Sequence, residues 1–541
     1  MSLLRDATIT KAVRRVKPRA DREIDDERLL LTFVDPGISE QLDSPNNQIL
    51  YGRRGTGKTH VLRVLGDLLR AQEENIIVYQ DLRSLGNSGE FEDDSRPLAQ
   101  RVTSLIRDVF EPVHLTIIEA ATQPGLSVDL APFDAFAEAL RRSVLTDEVA
   151  RVETSLDSGA TTRAKKGLGL RAPFLYAESE KSGSQANRST NVNEGRPLDS
   201  ILFAEIGSSL DRCLVELGDA HLFVLLDEWT AIPEGLQPLL AEFLKRTLFV
   251  LPRVTVKIAA LEYRSRFSEP LERNNQIGFE VGADVSSSLE LDDYLVYDRN
   301  NARTEEVFAQ VLYRHLAAEM TRAGAGVSAG ESTAYLESQY GIEAPDRLIE
   351  LLFASRRPYR ELVRAGEGVI RDFIGIFAAA YFDAVRREAR AIDLPAVRTA
   401  ARSWFASDKE INVRRQHRDA LDRICEEVLA KGRRRTFMLD RRHEPNETLQ
   451  ALVDRRVVHV VARNVLDAQN PTRRFSVYTL DYGLYVDLLD RRYALMPEFA
   501  KVKRTMAAES SDDVIALDTR RYLRGCVLQP EDFETVGGTR A

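Results

Sequence analysis

Eight consecutive residues, Gly52 to Thr59, have the types and the spacing needed to hold a chain of phosphates. Their sequence, Gly-Arg-Arg-Gly-Thr-Gly-Lys-Thr, fits the pattern G-x-x-x-x-G-K-[ST] at every fixed position. Glycines let the backbone curl until successive N–H groups point at phosphate oxygens, and a following helix adds its N-terminal dipole. We expect Lys58 to reach the β- and γ-phosphates of ATP and the Thr59 hydroxyl to bind Mg²⁺. The predicted nucleotide-contacting residues are Gly52, Arg53, Arg54, Gly55, Thr56, Gly57, Lys58, Thr59 and His60.

An acidic pair later in the chain could complete the chemistry. Residues 222–226 are an apolar run, and Asp227 and Glu228 come directly after it. A buried strand of this kind delivers its last residue to the C-terminal edge of a parallel sheet, the edge at which a phosphate loop also lies. We therefore predict that Asp227 is the second Mg²⁺ ligand and that Glu228 orients or deprotonates the attacking water. The alternative is a strand that simply ends in two solvated acids.

The elements that must position these residues alternate between strand and helix. Residues 48–51 and 76–79 are short apolar runs, and the segment between them has helical spacing. Strand, helix and strand at this length predict parallel strands joined by a right-handed crossover. Further strands are predicted at 222–226, 254–261 and 277–281. The predicted fold class is therefore α/β, a doubly wound parallel sheet of the P-loop type.

The pattern changes several times along the 541 residues. We predict an N-terminal arm at 1–28, a P-loop core at 29–300 with a polar insertion at about 157–197, a helical lid at 301–412, a winged helix at 413–495 and a tail at 496–541. The lid is predicted because its apolar residues keep helical spacing throughout. The winged helix is predicted because a helix, a strand, a helix and two more strands follow in that order.

Charge is distributed unevenly along the chain. There are 75 Lys and Arg against 84 Asp and Glu, a net charge of −9, so the chain as a whole is not a general binder of polyanions. Between Arg414 and Arg474, however, 15 basic residues stand against 9 acidic ones. We predict that this basic winged helix binds double-stranded DNA, mainly through its phosphates. A solvated charged surface that contacts no DNA is the alternative.

Cysteine usage and hydropathy favour a cytoplasmic protein. The three cysteines are far apart in the sequence and form neither a disulfide framework nor a metal knuckle. The basic N-terminus is not followed by the apolar stretch of a signal peptide. The most apolar run, Phe373 to Phe382, is too short to span a bilayer. We expect no membrane contact.

The phosphate loop and the acidic pair together resemble the AAA+ branch of P-loop ATPases. More narrowly, they resemble the origin-recognition (ORC-type) initiator ATPases and their bacterial relatives. The resemblance spans about Leu29 to Asp490, although only these two motifs are specific. It implies an ATPase that depends on ATP and Mg²⁺, works as a homo-oligomer and carries a helical lid and a winged helix behind its core.

The resemblance also implies accessory residues. A polar sensor would fall at Glu262, where a typical member of the family carries Asn. An arginine finger that enters the neighbouring subunit's site is expected among Arg264, Arg266 and Arg273, with Arg266 and Arg273 taken as candidates. A lid arginine that reaches the γ-phosphate is expected at Arg371. At each position, a solvated or ion-paired arginine is the alternative.

The function that such an ATPase would serve stays open between classes. A DNA-bound initiator or transposition regulator would oligomerise on duplex DNA with its basic winged helix. A STAND-like switch, for example in bacterial anti-phage defence, would use the winged helix as an internal clamp and pass its nucleotide state to an effector protein. A scaffold with little turnover is a third class. A salt-titrated DNA-binding assay separates the first two, and measured turnover identifies the third.

Overall fold

The computed structural model describes residues 3–17, 26–72, 74–85, 90–124, 128–141, 203–270, 276–297, 300–324, 332–432, 434–444, 446–467, 470, 472–488 and 526–533. The predicted insertion at about 157–197 and the candidate finger Arg273 lie outside the described residues. Within the described ranges, no helix combines the length and the apolar character needed to cross a membrane.

The elements are numbered in chain order. The strands are β1 (Gln48–Tyr51), β2 (Asn75–Asp81), β3 (His221–Asp227), β4 (Val254–Ala260), β5 (Ser268–Pro270), β6 (Gln276–Gly278), β7 (Ser287–Glu290), β8 (Thr436–Asp440), β9 (Val458–Leu466), β10 (Arg474–Leu480) and β11 (Cys526–Leu528). The helices are α1 (Ala7–Arg15), α2 (Asp26–Thr32), α3 (Ser39–Leu42), α4 (Lys58–Arg70), α5 (Leu98–Ala121), α6 (Ala131–Arg141), α7 (Phe203–Glu216), α8 (Gln237–Thr247), α9 (Asp292–Leu295), α10 (Asn301–Gly324), α11 (Ser332–Tyr340), α12 (Pro345–Leu352), α13 (Arg356–Gly366), α14 (Ile370–Arg386), α15 (Leu394–Trp404), α16 (Arg415–Cys425), α17 (Glu447–Asp454) and α18 (Tyr482–Asp487).

The chain folds into two compact units. The sheet unit consists of residues 39–51 and 65–289, and the loop unit consists of residues 1–38, 52–64 and 290–541. The phosphate loop belongs to the loop unit, together with the predicted lid and winged helix. The domain boundaries given by the sequence pattern stay predictions.

The sheet unit is built on a five-stranded sheet with the order β2-β3-β4-β1-β7. The pairs β2–β3, β3–β4 and β4–β1 are all parallel. Strands β3 and β4 are buried at almost every position, as expected for parallel strands covered by helices on both faces. This confirms the α/β parallel-sheet fold predicted from the alternating pattern. It also means that β1, β2, β3 and β4 all end at the same edge of the sheet.

The fifth strand of this sheet is not the predicted one. The strand predicted at 277–281 overlaps β6, but its predicted place in the parallel sheet was wrong, because β6 pairs antiparallel with β5 in a separate two-stranded sheet. Gly278 has φ +94°, and a Cβ there would collide with the Phe267 carbonyl, so the chain bends at this point. The actual fifth strand, β7, has the polar sequence Ser-Ser-Leu-Glu, in which no apolar run marks a strand.

One charged residue lies in the middle of the buried sheet. Lys257 of β4 is fully buried, and its ammonium group donates hydrogen bonds to Ser44 O (2.8 Å), Asn46 O (2.9 Å) and Gln48 Oε1 (2.5 Å). These oxygens replace the water that the ammonium group loses on burial. Lys257 therefore fixes the segment that leads into β1, the strand after which the phosphate loop begins.

In the loop unit, the predicted order of winged-helix elements is present: α16, β8, α17, β9 and β10 follow one another. The sheet order is β11-β8-β10-β9, with β10 antiparallel to both β8 and β9. Strand β11 adds a parallel partner to β8 and comes from the predicted tail, where the sequence pattern indicated no strand. Preceding these elements, helices α10 to α15 form the predicted lid.

Candidate nucleotide site

The phosphate loop begins at the residue after β1 and ends in the first turn of α4. Gly55 and Gly57 have φ of +86° and +106°, a backbone conformation that residues with a Cβ rarely adopt. Lys58 is buried, and its ammonium group donates hydrogen bonds to Gly52 O (2.7 Å) and Arg53 O (3.2 Å). The loop is therefore curled around its own lysine, whose position is set by two loop carbonyls.

Arg371, the arginine suggested by the family resemblance, lies against this loop. Its backbone N–H donates to Gly55 O at 3.1 Å. A Cβ placed on Gly55 would lie 3.0 Å from Arg371 Cβ and 3.1 Å from both Arg371 Nε and Val369 Cγ1. Gly55 is thus required both by its φ angle and by the close approach of α14. The structure brings Arg371 to the loop, and its contact with a γ-phosphate stays a prediction.

Arg53 places its side chain among protein acceptors. Its Nε and backbone N–H donate to the two oxygens of Asp292, at 3.0 and 3.1 Å. Its Nη2 donates to Glu367 O at 2.7 Å, and its Nη1 lies 2.6 Å from His459 Nδ1. No local pattern predicts this arrangement, since the partners lie hundreds of positions away in the chain. The predicted contact of Arg53 with nucleotide stays untested.

The other loop residues are placed as follows. Arg54 is exposed, Thr56 is fully buried and Thr59 is half-buried. His60 Nε2 lies 2.7 Å from Leu29 O, and its ring meets Phe33 edge-to-face with centroids 5.3 Å apart. Burial lowers the pKa of His60, which keeps the imidazole neutral. This placement gives His60 a local packing role beside its predicted nucleotide contact.

Asp227 ends β3 as the sequence predicted. Its side chain is fully buried, with Tyr79 Oη donating to Oδ2 (2.9 Å) and the Glu228 backbone N–H donating to Oδ1 (2.8 Å). Among the described residues of the sheet unit, no basic side chain forms an ion pair with Asp227. A buried carboxylate with only neutral partners is short of positive charge, so it fits the oxygen-ligand chemistry of Mg²⁺. Within the described ranges, no group of three or more His, Cys, Asp or Glu side chains is arranged so that it could hold a metal ion by itself.

Glu228 has an uncommon backbone conformation for a residue with a side chain. Its φ and ψ are 57° and 46°, in the left-handed region. Its carboxylate Oε1 lies 4.0 Å from Arg83 Nη1, and Arg83 also pairs with Asp81 at 2.6 Å. Sequence analysis missed Tyr79 and Arg83. The register that pairs Asp81 with Asp227 explains why residues at the end of β2 reach the end of β3.

The sensor and finger candidates of the sheet unit follow β4. Glu262 lies in a short 3-10 helix, Glu262–Arg264. Arg266 is 60% exposed at its side chain and lies 3.5 Å from Glu234, and its backbone N–H donates to Gln237 Oε1 at 2.7 Å. These positions give no test of a role in a neighbouring subunit, so the sensor and the finger stay predictions.

Two sets of basic residues in the predicted winged helix differ in their exposure to solvent. Arg435 and Arg456 are buried and paired with acids, Arg435 with Glu367 and Arg456 with Asp372. The second group faces solvent around Asp440, whose carboxylate accepts hydrogen bonds from arginines. It lines a cavity of about 460 Å³ formed by Asp440, Arg441, Arg442, Asn470, Thr472, Arg473 and Arg474. The side chains of Arg441 and Arg442 are exposed, so this second group, unlike Arg435 and Arg456, is available to an external polyanion.

Comparison with known proteins points to one family. Residues 17–80 match the ORC-CDC6-like family model, a segment that contains β1, the phosphate loop, α4 and nearly all of β2. No curated protein matches the sequence.

Several solved structures are similar over most of the chain. Cdc6p from Pyrobaculum aerophilum is 12% identical, with 92% of this chain and 98% of that chain covered and a TM-score of 0.31. The Aeropyrum pernix ORC2 protein in ADPNP–ADP complexes is 11% identical, with 93% and 99% covered and a TM-score of 0.31. Drosophila ORC bound to DNA is 12% identical, with 90% and 97% covered and a TM-score of 0.28. Likeness at these levels adds no argument to the family match.

The matched segment is the one that carries the phosphate loop, and the sheet that it enters is the parallel α/β sheet of a P-loop fold. Over residues 17–80 the chain is therefore similar to the ORC-CDC6-like family.

Proposed function

We propose that this protein binds ATP at Gly52–Thr59 and hydrolyses it with Asp227 and Glu228. The observation that carries the proposal is the fully buried Asp227 carboxylate, whose described partners in the sheet unit are a hydroxyl group and an amide. Leaving a buried carboxylate without a cationic partner is costly, and a Mg²⁺ ion bound together with the phosphates would supply the missing positive charge. The phosphate loop would bind the phosphates of the same nucleotide.

Each residue has a defined role in this proposal. Lys58 donates to the β- and γ-phosphates. Thr59 and Asp227 would hold Mg²⁺, which would supply positive charge beside the phosphates. Glu228 orients the attacking water and accepts its proton. Arg371 donates to the γ-phosphate from the start of α14, so the lid senses whether that phosphate is present.

Two substitutions test these roles. Lys58→Ala should abolish ATP binding in calorimetry because the phosphates lose their ammonium partner. Glu228→Gln should bind ATP normally and turn it over roughly 100-fold more slowly, since the amide cannot accept a proton. Glu216→Gln, on helix α7, is the matched control and should keep wild-type turnover. Wild-type rates of hydrolysis in both Lys58→Ala and Glu228→Gln would contradict the assignment.

We further propose that the nucleotide state is coupled to double-stranded DNA through the exposed basic group of the winged helix. Asp440 Oδ1 accepts from Arg442 Nε at 3.1 Å, and Oδ2 accepts from Arg473 Nε at 2.7 Å, which holds two guanidinium groups at the cavity. Arg441 and Arg474 complete a basic surface that suits phosphate contacts.

Salt-dependent DNA binding tests this coupling. The double variant Arg441→Ala/Arg474→Ala should bind duplex DNA more weakly, and its slope of log affinity against log salt should fall by about 1 for each lost phosphate contact. Arg386→Ala, an exposed arginine of the lid, is the control. Negligible binding of the wild-type protein at low salt would instead favour the STAND-like switch, with an effector protein as the partner.

A homo-oligomer is the third part of the proposal. It is supported by the exposure of Arg266, whose Nη2 lies 3.5 Å from Oε2 of Glu234, an acid that is itself at the surface. If Arg266 acts on the site of the neighbouring subunit, mixing two variants that each lack a different part of the site should restore some ATP hydrolysis. Equimolar Arg266→Ala and Glu228→Gln proteins should hydrolyse ATP faster than either protein alone, and an absence of any gain would contradict a finger at Arg266.

A further inference from the structure

The phosphate loop contacts the winged helix through the side chain of Arg53. His459 lies on β9 and is 1% exposed. Its Nδ1 is 2.6 Å from Arg53 Nη1, and its Nε2 is 3.0 Å from Asp481 Oδ2. A guanidinium group can only donate, so Nδ1 accepts and Nε2–H donates to Asp481. The two neighbours therefore fix one neutral tautomer of the imidazole.

The charges around His459 support this assignment. Burial lowers the pKa of His459 to about 3, and Arg53 and Lys409 oppose a positive charge on the ring although Asp481 favours one. Burial alone would raise the pKa of Asp481, but Lys409 and the His459 hydrogen bond hold it below its ordinary value. The imidazole is therefore neutral at physiological pH, and its acceptor nitrogen always faces Arg53.

The contact matters to the loop because of where Arg53 lies within it. The carbonyl oxygen of Arg53 accepts a hydrogen bond from Lys58 Nζ at 3.2 Å and another from Thr56 Oγ1 at 2.9 Å. A shift of Arg53 would therefore move an oxygen that positions the phosphate-binding lysine. Asp292 holds the same arginine from another side, through both its Nε and its backbone N–H.

A second path leads from His459 back to the loop through buried charges. Asp481 Oδ2 accepts from Lys409 Nζ at 2.5 Å, and the same ammonium group lies 2.9 Å from Asp372 Oδ2. Asp372 follows Arg371 in the chain, and its Oδ1 lies 3.9 Å from Arg371 Nε. Arg371 in turn lies against Gly55. The winged helix is thus connected to the loop at two positions, Arg53 and Gly55.

We propose that His459 is a positioning residue for nucleotide binding, which acts through Arg53 to fix the phosphate loop and the Lys58 ammonium group. The inference rests on the proposed ATP site and assigns part of its geometry to the winged helix. A DNA or protein partner that displaces β9 should weaken ATP binding. Because coupling of binding free energies is reciprocal, ATP should weaken the binding of that partner by the same factor.

Two substitutions of His459 separate positioning from a merely structural role. In His459→Asn, the amide oxygen stands at the δ position and keeps an acceptor for Arg53, while the contact with Asp481 is lost. In His459→Gln, the amide nitrogen reaches the ε position and keeps a donor for Asp481, while the acceptor for Arg53 is lost. We expect the dissociation constant for ATP, measured by calorimetry with Mg²⁺, to rise about tenfold in His459→Gln and less than threefold in His459→Asn.

The controls make each outcome decisive. His417→Asn, a histidine of α16 in the same winged helix, should bind ATP like the wild type. Melting temperatures report folding, and Arg53→Gln provides a second variant that should also weaken binding about tenfold. The ATP site is supported if the wild type binds ATP and Lys58→Ala does not. If His459→Gln and Arg53→Gln then bind ATP as tightly as the wild type, the positioning role is wrong although the ATP site is right. If binding is weaker in His459→Asn than in His459→Gln, the link to Asp481 is what matters and the proposed path through Arg53 is wrong. If the wild type does not bind ATP, the proposed function itself fails.

Discussion

Two aspartates, Asp227 in the sheet unit and Asp372 in the loop unit, are equally buried but differ in the charge of their partners. Each has 0% of its surface exposed. Asp227 accepts hydrogen bonds from a tyrosine hydroxyl and a backbone amide. Asp372 pairs with Arg456 and with Lys409 at 2.9 Å, and accepts from Trp404 Nε1 at 3.2 Å.

The difference distinguishes a structural carboxylate, Asp372, from Asp227, the one that we propose binds the metal. Burial alone would raise the pKa of Asp372, but Lys409 and Arg456 outweigh it and hold the pKa below its ordinary value. The charge of Asp372 is thus matched inside the protein, and the residue holds the start of α14 in place. The charge of Asp227 has no such match among the described residues of its unit, which suits a residue whose cation arrives with the substrate.

The largest effect is expected from Asp372→Asn. The substitution leaves Lys409 and Arg456 buried with one carboxylate fewer, which should lower the free energy of unfolding by about 3–5 kcal/mol. Urea denaturation measures this, with Asp383→Asn on the same helix as the control, since its partners Arg386 and Arg387 are at the surface and the loss should stay below about 1 kcal/mol. Equal losses of unfolding free energy in the two variants would contradict the distinction between a buried, ion-paired acid and an acid paired at the surface.

Asp227→Asn should show the opposite pattern. The neutral amide removes a buried charge that has no cationic partner in its unit, so the free energy of unfolding should change by less than about 1 kcal/mol. Turnover of ATP should fall roughly 100-fold, because the metal, whose electrostatic contribution to the transition state is several kcal/mol, would lose one of its ligands. Initial rates over a range of Mg²⁺ concentrations measure the effect. A stability loss like that of Asp372→Asn, with normal turnover, would make Asp227 structural instead.

The same contrast shows which part of the site the sequence could predict. The phosphate loop is eight consecutive residues, and Asp227 directly follows an apolar strand, so both depend on local patterns. Asp372, Lys409 and His459 acquire their roles only when distant segments of the loop unit meet. A single sequence contains no signal for such pairings, and each of these residues alone resembles an ordinary surface charge or a core histidine.

The strands, too, separate into those that a local pattern predicts and those that it does not. Strands β3 and β4 were predicted because they are apolar runs buried in a parallel sheet. Strands β7 and β11 were missed, since each is only three or four residues long and takes its strand conformation from a neighbouring strand. The resemblance to a family supplied Arg371, which the residues alone would not have distinguished from other helix-start arginines.

The network around Asp372 also predicts how stability depends on pH. His459 has a folded pKa of about 3 against an ordinary value of 6.5. Below pH 6.5 the unfolded chain takes up this proton and the folded protein does not, so stability is greatest above pH 6.5 and falls as the pH is lowered. The loss is about 1.4 kcal/mol per pH unit, or about 2 kcal/mol at pH 5. His459→Asn should flatten this part of the urea-denaturation profile and His443→Asn should not; identical profiles for the wild type and His459→Asn would contradict the neutral tautomer.

The smallest effect tests how Asp227 is held. Tyr79→Phe removes the hydroxyl that donates to Asp227 Oδ2, a partner that orients the carboxylate for a metal. The Mg²⁺ concentration for half-maximal ATP turnover should rise about tenfold, while the free energy of unfolding should change by no more than about 1 kcal/mol. Tyr335→Phe, in helix α11 of the loop unit, is the control and should leave both quantities unchanged. A change in stability without a change in the Mg²⁺ dependence would mean that the hydroxyl serves only as a hydrogen-bond donor to a buried carboxylate. Asp227 would then be a structural residue like Asp372.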